Sequence, residues 1–143
     1  MNTQQLVPYL MFDGNCREAM NFYRDCLGGD VGLKTIGESP MKDNMPVEKH
    51  EQIMHASLVK NGQVVLFASD LMGREGLAHG NDITLCLNCI SEEEIQTAFK
   101  NLSAGGKVTH ELKKEFWGDT FGMLTDKFGL NWMFNHGPNQ FVS

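Results

Sequence analysis

The chain has 143 residues, with 12 lysines and arginines against 18 aspartates and glutamates, and a formal net charge of −6. This length suits one compact domain, or two half-size units that share one core. The basic residues are scattered, so the sequence lacks the positive stripe needed to neutralise phosphates, and nucleic acid is excluded as an expected partner.

The apolar runs are too short to cross a membrane, because none approaches the ~20 residues that a spanning helix needs. Residues 1–5 are polar and lack the charged and apolar regions of a secretory signal. We therefore expect no membrane association and a cytoplasmic location. The four cysteines fall in predicted regular elements, which is typical of reduced thiols rather than of a disulfide framework.

The first half of the chain predicts one helix among four strands. The helix begins after Asn15, a potential N-cap, and its apolar residues recur at helical spacing until Gly28 and Gly29. The last two strands are joined by Asn61-Gly62, a strong hairpin signal. The predicted strands cover residues 7–12, 31–36, 52–59 and 63–70. A long loop separates the second strand from the third.

The second half predicts the same order of elements after an irregular, glycine-containing linker. A capping box that starts at Ser91 begins its helix, and Gly105 and Gly106 end it. The predicted strands cover residues 82–89, 108–114, 120–125 and 130–135. The last two of these strands form a hairpin around residues 126–129, a short turn closed by glycine.

The two halves correspond when the chain is shifted by 76 residues. The shift places Ile83 on Val7 and Ser91 on Asn15, and the helix faces and glycine stops fall in step. We interpret this as an internal duplication of a βαβββ unit. The predicted fold is α+β, one domain of two tandem modules with curved mixed sheets. Module 1 covers about residues 6–70, the linker residues 71–80 and module 2 about residues 81–136.

Several segments resemble the vicinal oxygen chelate superfamily, which includes glyoxalase I, extradiol dioxygenases and bleomycin-resistance proteins, and within it the PhnB-like branch. The segments are residues 9–19 with Phe22 and Tyr23, residues 53–56, residues 116–119 and residues 126–132. The resemblance implies two modules, each curved around a cavity, and a homodimer. This branch often carries a demethylubiquinone methyltransferase label, but no βαβ unit here opens with a Gly-rich nucleotide turn.

Catalytic members of the superfamily hold a divalent metal with ligands from the first and last strands of each module. The resemblance places these ligand positions at Pro8, Leu66, Ile83 and Met133. Proline and aliphatic side chains have no donor atom, and a thioether is a poor ligand for hard cations. We therefore expect no metal and no other cofactor.

A largely apolar pocket is predicted from strand alternation. The two-residue turn pairs Ser57 with Leu66 and His55 with Ala68, so these residues share the inward face. The predicted pocket residues, taken from this face and from its counterparts in the other strands, are Leu10, Phe12, Ser57, Leu66, Ala68, Trp117, Thr120, Asn131 and Met133. Such a composition is typical of a small-molecule site.

Two residues on the predicted inward face are candidates for catalysis. A histidine imidazole is a common general base, so His55 is a candidate for that role, with Asp70 as its orienter. The alternatives are a hydrogen-bonded core histidine for His55 and a solvated or turn-capping carboxylate for Asp70. Trp117 is either a stacking lid over the pocket or a packing residue at an interface.

Three functions are compatible with these features. The favoured one is a dimeric protein that binds a small molecule without a metal. The second is an enzyme, either metal-dependent through displaced ligands such as His55 and Asp70, or metal-free with His55 as acid and base. The third is a structural or partner-binding dimer. Whether the protein is an enzyme is left open by the sequence.

Overall fold

A computed structural model of the protein describes residues 5–71 and 76–137. Within these ranges the chain forms two α-helices and eight strands. They are β1 (Tyr9–Phe12), α1 (Cys16–Leu27), β2 (Asp30–Thr35), β3 (Ile53–Lys60), β4 (Gln63–Asp70), β5 (Leu85–Asn88), α2 (Glu92–Ser103), β6 (Lys107–Lys114), β7 (Thr120–Thr125) and β8 (Asn131–His136). Three short 3-10 helices, Ile36–Glu38, Pro40–Asn44 and Val47–Lys49, occupy the predicted long loop.

The chain divides into two compact units, unit 1 (Met1–Leu77) and unit 2 (Ala78–Ser143). Each unit contains one four-stranded mixed sheet, ordered β1-β4-β3-β2 in unit 1 and β5-β8-β7-β6 in unit 2. In both sheets the first and last strands are parallel and the other pairs antiparallel. The predicted α+β fold with two βαβββ modules is confirmed. That the modules make a single domain stays a prediction.

Each helix covers one face of the sheet in its own unit. Helix α1 buries Cys16, Ala19, Met20 and Tyr23, which recur at helical spacing. Helix α2 is preceded by its N-cap Ser91, whose hydroxyl accepts a hydrogen bond from the Glu94 N–H at 3.0 Å. The helix buries Ile95, Ala98, Phe99 and Leu102. We call the covered side of each sheet the helix face and the opposite side the open face.

A β-bulge sets which residues of unit 1 lie on each face. Next to the turn Val59 pairs with Val64, but beyond it Leu58 pairs with Leu66, so Val65 is an extra residue in β4. One extra residue reverses the sidedness of everything after it relative to the partner strand. The prediction that Ser57 pairs with Leu66 is therefore wrong, because Ser57 pairs with Phe67.

Five residues of unit 1 that were predicted to line the pocket or to face it lie on the helix face instead. These residues, Leu10, Phe12, Leu66, Ala68 and Asp70, are all buried. The open face of the same sheet carries a different set, with aromatic, sulfur-containing and hydroxyl side chains. Its members include Tyr9, Met11, His55, Ser57 and Phe67.

The last hairpin also differs from its prediction, here in the length of its loop. Thr125 pairs with Asn131, so the loop has five residues, 126–130, rather than four. The Asp126 carboxylate shapes this loop by accepting hydrogen bonds from the Phe128 N–H at 2.8 Å and the Leu130 N–H at 3.1 Å. It also accepts one from the Trp132 indole Nε1–H at 2.8 Å. The register brings Leu124 opposite Trp132, and both side chains are buried on the helix face.

Candidate functional site

An aromatic cluster lies on the open face of unit 1, where three strands run side by side. The ring centroids of His55 and Phe67 are 5.2 Å apart, and Tyr9 lies 6.3 Å from His55 and 6.1 Å from Phe67. The sheet register explains the cluster, since Tyr9 pairs with Phe67 across the parallel strands and Phe67 pairs with Ser57 next to His55. Tyr9 is 49% exposed, so the cluster is open to a ligand.

Asp70 has a structural role at the start of helix α1. Its Oδ1 accepts hydrogen bonds from the Gly14 and Cys16 N–H groups at 2.9 and 3.0 Å, and its Oδ2 accepts one from the Ile53 N–H at 2.8 Å. The side chain of Asn15 makes no capping hydrogen bond, so the Asp70 carboxylate satisfies the helix terminus in its place. A negative charge there also complements the helix dipole.

His55 and Asp70 do not form the predicted pair. His55 is exposed on the open face, whereas Asp70 is 1% exposed on the helix face. The shared-face prediction is wrong because it ignored the bulge at Val65. Within the described part of the chain, the His55 imidazole contacts the rings of Tyr9 and Phe67 and makes no hydrogen bond.

The remaining predicted pocket residues divide between the two faces. Ser57, Asn131 and Met133 lie on open faces, and the ring of Trp117, which is 40% exposed, lies 5.8 Å from that of Phe121. The Asn131 amide is held in place, since its Oδ1 accepts from the Thr125 hydroxyl at 2.8 Å and its Nδ2 donates to the Gly80 carbonyl at 3.1 Å.

Thr120 lies on the helix face of unit 2. Its hydroxyl donates to the Glu92 carboxylate at 2.6 Å, at the start of α2. Five of the predicted pocket residues are therefore buried in the cores of the two units. They are Thr120, Leu10, Phe12, Leu66 and Ala68.

Unit 2 has an aromatic cluster of its own on the open face. The rings of His110 and Phe121 meet edge to face with centroids 5.4 Å apart, and Trp117 meets Phe121 in the same way at 5.8 Å. The rings of Phe116 and Trp117 also meet edge to face, with centroids 4.9 Å apart, and Phe116 is 96% exposed. Tyr9, Phe67 and Phe121 were not predicted as site residues, because regular alternation placed them on the opposite face, and no sequence signal singled out His110.

The described residues do not fit the metal set of the catalytic vicinal oxygen chelate proteins. Leu66 faces helix α1, Pro8 and Ile83 precede their strands, and Met133 is the one of the four on an open face. Within residues 5–71 and 76–137, no group of three or more His, Cys, Asp or Glu residues is placed to hold a metal ion. A thioether alone is a poor ligand for a hard divalent cation.

Cys16 and Cys86 are poor candidates for nucleophiles. All four cysteines are free thiols. Burial, together with the nearby Asp70 carboxylate, raises the pKa of the Cys16 thiol to about 12. Burial also raises the pKa of Cys86. Both thiols are therefore protonated at neutral pH, and it is the thiolate that reacts.

Fold and site together define a tandem βαβββ protein in which a helix seals one face of each sheet and aromatic side chains occupy the other. A family model of the Glyoxalase/Bleomycin resistance protein/Dioxygenase superfamily matches residues 5–134. The chain belongs to this superfamily. No described helix has the length and apolar character needed to span a membrane.

Similar proteins agree with this assignment. Protein YjdN of Escherichia coli is 34% identical over 137 residues, which cover 91% of this chain and 93% of YjdN. The crystal structure of PA1353 from Pseudomonas aeruginosa superimposes with a TM-score of 0.83 at 38% identity, covering 94% of this chain and 98% of PA1353. A PhnB protein from Bacillus cereus, described as a putative 3-demethylubiquinone-9 3-methyltransferase, gives a TM-score of 0.74 at 28% identity, covering 94% of this chain and all (100%) of that protein. The PhnB-like resemblance is confirmed.

Proposed function

We propose that the protein binds small, flat aromatic molecules on the open faces of its sheets and does so without the metal ligands of the catalytic family members. The observation that carries the proposal is the cluster of Tyr9, His55 and Phe67 on a sheet whose other face is already sealed by α1. Aromatic side chains that remain exposed beside one another offer stacking surface to a ligand at little cost in conformational entropy.

The homodimer implied by the family and the cytoplasmic location expected from the sequence belong to the same proposal. Ile83 and Ile90 support the dimer, because they are 74% and 82% exposed in the single chain and flank the short strand β5. Large apolar side chains left uncovered in this way are typical of surfaces that meet another protein.

Acid-base catalysis through His55 is a second candidate. The exposed imidazole lies beside the rings that would hold a substrate, which favours this function. The position of Asp70, the predicted orienter, does not favour it, because this carboxylate accepts hydrogen bonds from three backbone N–H groups on the opposite face of the sheet.

Indole and 1-methylindole, two flat probes of nearly equal size, test the binding proposal by NMR titration of isotope-labelled protein. We expect both probes to shift resonances of Tyr9, His55 and Phe67, and Phe67→Ala to weaken binding there by about tenfold, since one aromatic pair contributes about 0.5–1.5 kcal/mol beyond its buried area. Val47→Ala is the control, because Val47 is 77% exposed on a 3-10 helix. Equal affinities for Phe67→Ala and the unchanged protein would reject the proposal.

A further inference from the structure

A histidine and a glutamate lie together on unit 2, beside its open-face aromatic cluster. His110 is in β6, and Glu115 follows the end of that strand. The His110 Nε2 lies 3.4 Å from the Glu115 Oε2. The His110 ring also packs edge-on against Phe121, which in turn contacts Trp117. The His110 ring is thus in contact with the aromatic cluster, and the Glu115 carboxylate lies next to that ring.

One oxygen of the Glu115 carboxylate has no hydrogen-bond donor among the described residues. This oxygen, Oε2, is buried. The His110 Nε2 is close, but 3.4 Å is too long for a good hydrogen bond. A buried oxygen in this situation has lost its water without gaining a donor, which costs free energy until a donor arrives.

The other nitrogen of His110 determines what the pair offers. Its Nδ1 lies 2.8 Å from the Glu111 backbone carbonyl, and because a carbonyl can only accept, Nδ1 carries the proton. In the neutral ring Nε2 is then an acceptor as well. Two acceptor atoms, Nε2 and the Glu115 Oε2, therefore lie side by side and are both suited to the same donor.

The surroundings define the shape of that donor. Phe121 and Trp117 supply flat walls that meet edge to face, and Trp117 is 40% exposed. A flat ring can stack against such walls, whereas a bulky aliphatic molecule gains less from them. The unit 1 cluster of Tyr9, His55 and Phe67 differs in one respect, since its nearest buried carboxylate, Asp70, lies on the opposite face of the sheet.

We propose that His110 and Glu115 form the hydrogen-bond acceptor of an aromatic subsite on unit 2, which selects flat molecules with a ring N–H or a phenolic O–H. This inference rests on the proposed function and adds a chemical preference to it. The N–H or O–H of the ligand donates to the Glu115 Oε2, while the ring packs against Phe121 and Trp117.

Indole and 1-methylindole test the preference, because they differ only in the N–H donor. The two tryptophans of the chain give separate indole N–H signals. The Trp117 signal reports the subsite, and the Trp132 signal, whose Nε1–H is held by Asp126 at 2.8 Å in the core, is the internal control. We expect indole to bind about tenfold more tightly than 1-methylindole, the ratio that corresponds to one hydrogen bond.

The variant Glu115→Met keeps the length of the side chain and removes the carboxylate while leaving the His110 Nε2 in place, so the tenfold ratio between the probes should fall at least threefold. Glu93→Met, at an exposed position of helix α2 outside the subsite, should keep the tenfold ratio. If Glu115→Met disturbs the Trp132 signal, Glu115→Gln replaces it, and there the ratio should fall at least threefold.

Different outcomes separate this inference from the proposed function. Equal binding of both probes by the unchanged protein, or an unchanged ratio in the Glu115 variant, would overturn the donor preference alone. If neither probe shifts any resonance on either open face, the proposed function fails as well.

Discussion

Replacing Asp70 with asparagine should destabilise unit 1 strongly, although the two side chains have nearly the same size. The Asp70 carboxylate accepts from three backbone N–H groups, those of Gly14, Cys16 and Ile53, at 2.8–3.0 Å. The single oxygen of an asparagine can serve the first two. Its NH2 group would then face the Ile53 N–H, so that two donors meet and a buried N–H loses its acceptor.

The magnitude follows from these contacts. An unsatisfied buried N–H costs about 1–3 kcal/mol. Loss of a negative charge at the start of α1 adds about 0.3–1 kcal/mol through the helix dipole. We therefore expect Asp70→Asn to lower the free energy of unfolding by about 1–4 kcal/mol, a large part of the stability of a small unit.

Urea denaturation followed by circular dichroism measures this change. Both tryptophans belong to unit 2, so tryptophan fluorescence follows that unit separately. Asp13→Asn is the matched control, because Asp13 is exposed beside the same helix terminus and should change stability by less than about 0.5 kcal/mol. A loss below about 0.5 kcal/mol in Asp70→Asn, or one equal to that of the control, would refute the assigned role.

Two further predictions concern core contacts. Gly122→Ala should lower the free energy of unfolding by about 1–3 kcal/mol through overpacking, since the new Cβ would lie 2.7 Å from Phe99 Cε2 and 3.0 Å from Leu112 Cδ1. Gly32→Ala is the control, because its new Cβ would meet only the Ser57 hydroxyl, at 3.3 Å. Equal denaturation midpoints for the two variants would contradict the packing described for α2. Burial, with Asp70, raises the pKa of Cys16 to about 12, so the native state keeps a proton that the unfolded state loses above about pH 9. Stability is therefore fully present below pH 9 and falls towards pH 12, by on the order of 1 kcal/mol at pH 10. Cys16→Ala should have a shallower fall in alkaline urea titrations, and an identical slope would contradict this.

Much of the architecture could be read from the sequence because its signals are local. The Asn61-Gly62 turn, the Ser91 helix start and the glycine stops each act within a few residues. The order of elements follows from them and is confirmed, as is the family that the motif segments resemble.

The candidate site was predicted less well, because a face depends on register along a whole strand. The extra residue Val65 lies between the apolar residues Val64 and Leu66, and no glycine or turn residue marks its position. The alternation pattern therefore did not predict the bulge. In unit 2 the Asp126 carboxylate extends the hairpin loop by one residue through bonds that include the distant Trp132 indole.

The sequence by itself thus determined the elements and their order, since turns, caps and periodicity are properties of neighbouring residues, and its motif segments carried the resemblance to the superfamily. Only the tertiary structure decided that Tyr9, His55 and Phe67 share the open face, that Asp70 belongs to the helix face, and that Glu115 lies beside His110. The physical reason is that a strand has a period of two, so a one-residue change in pairing reverses which side chains are exposed.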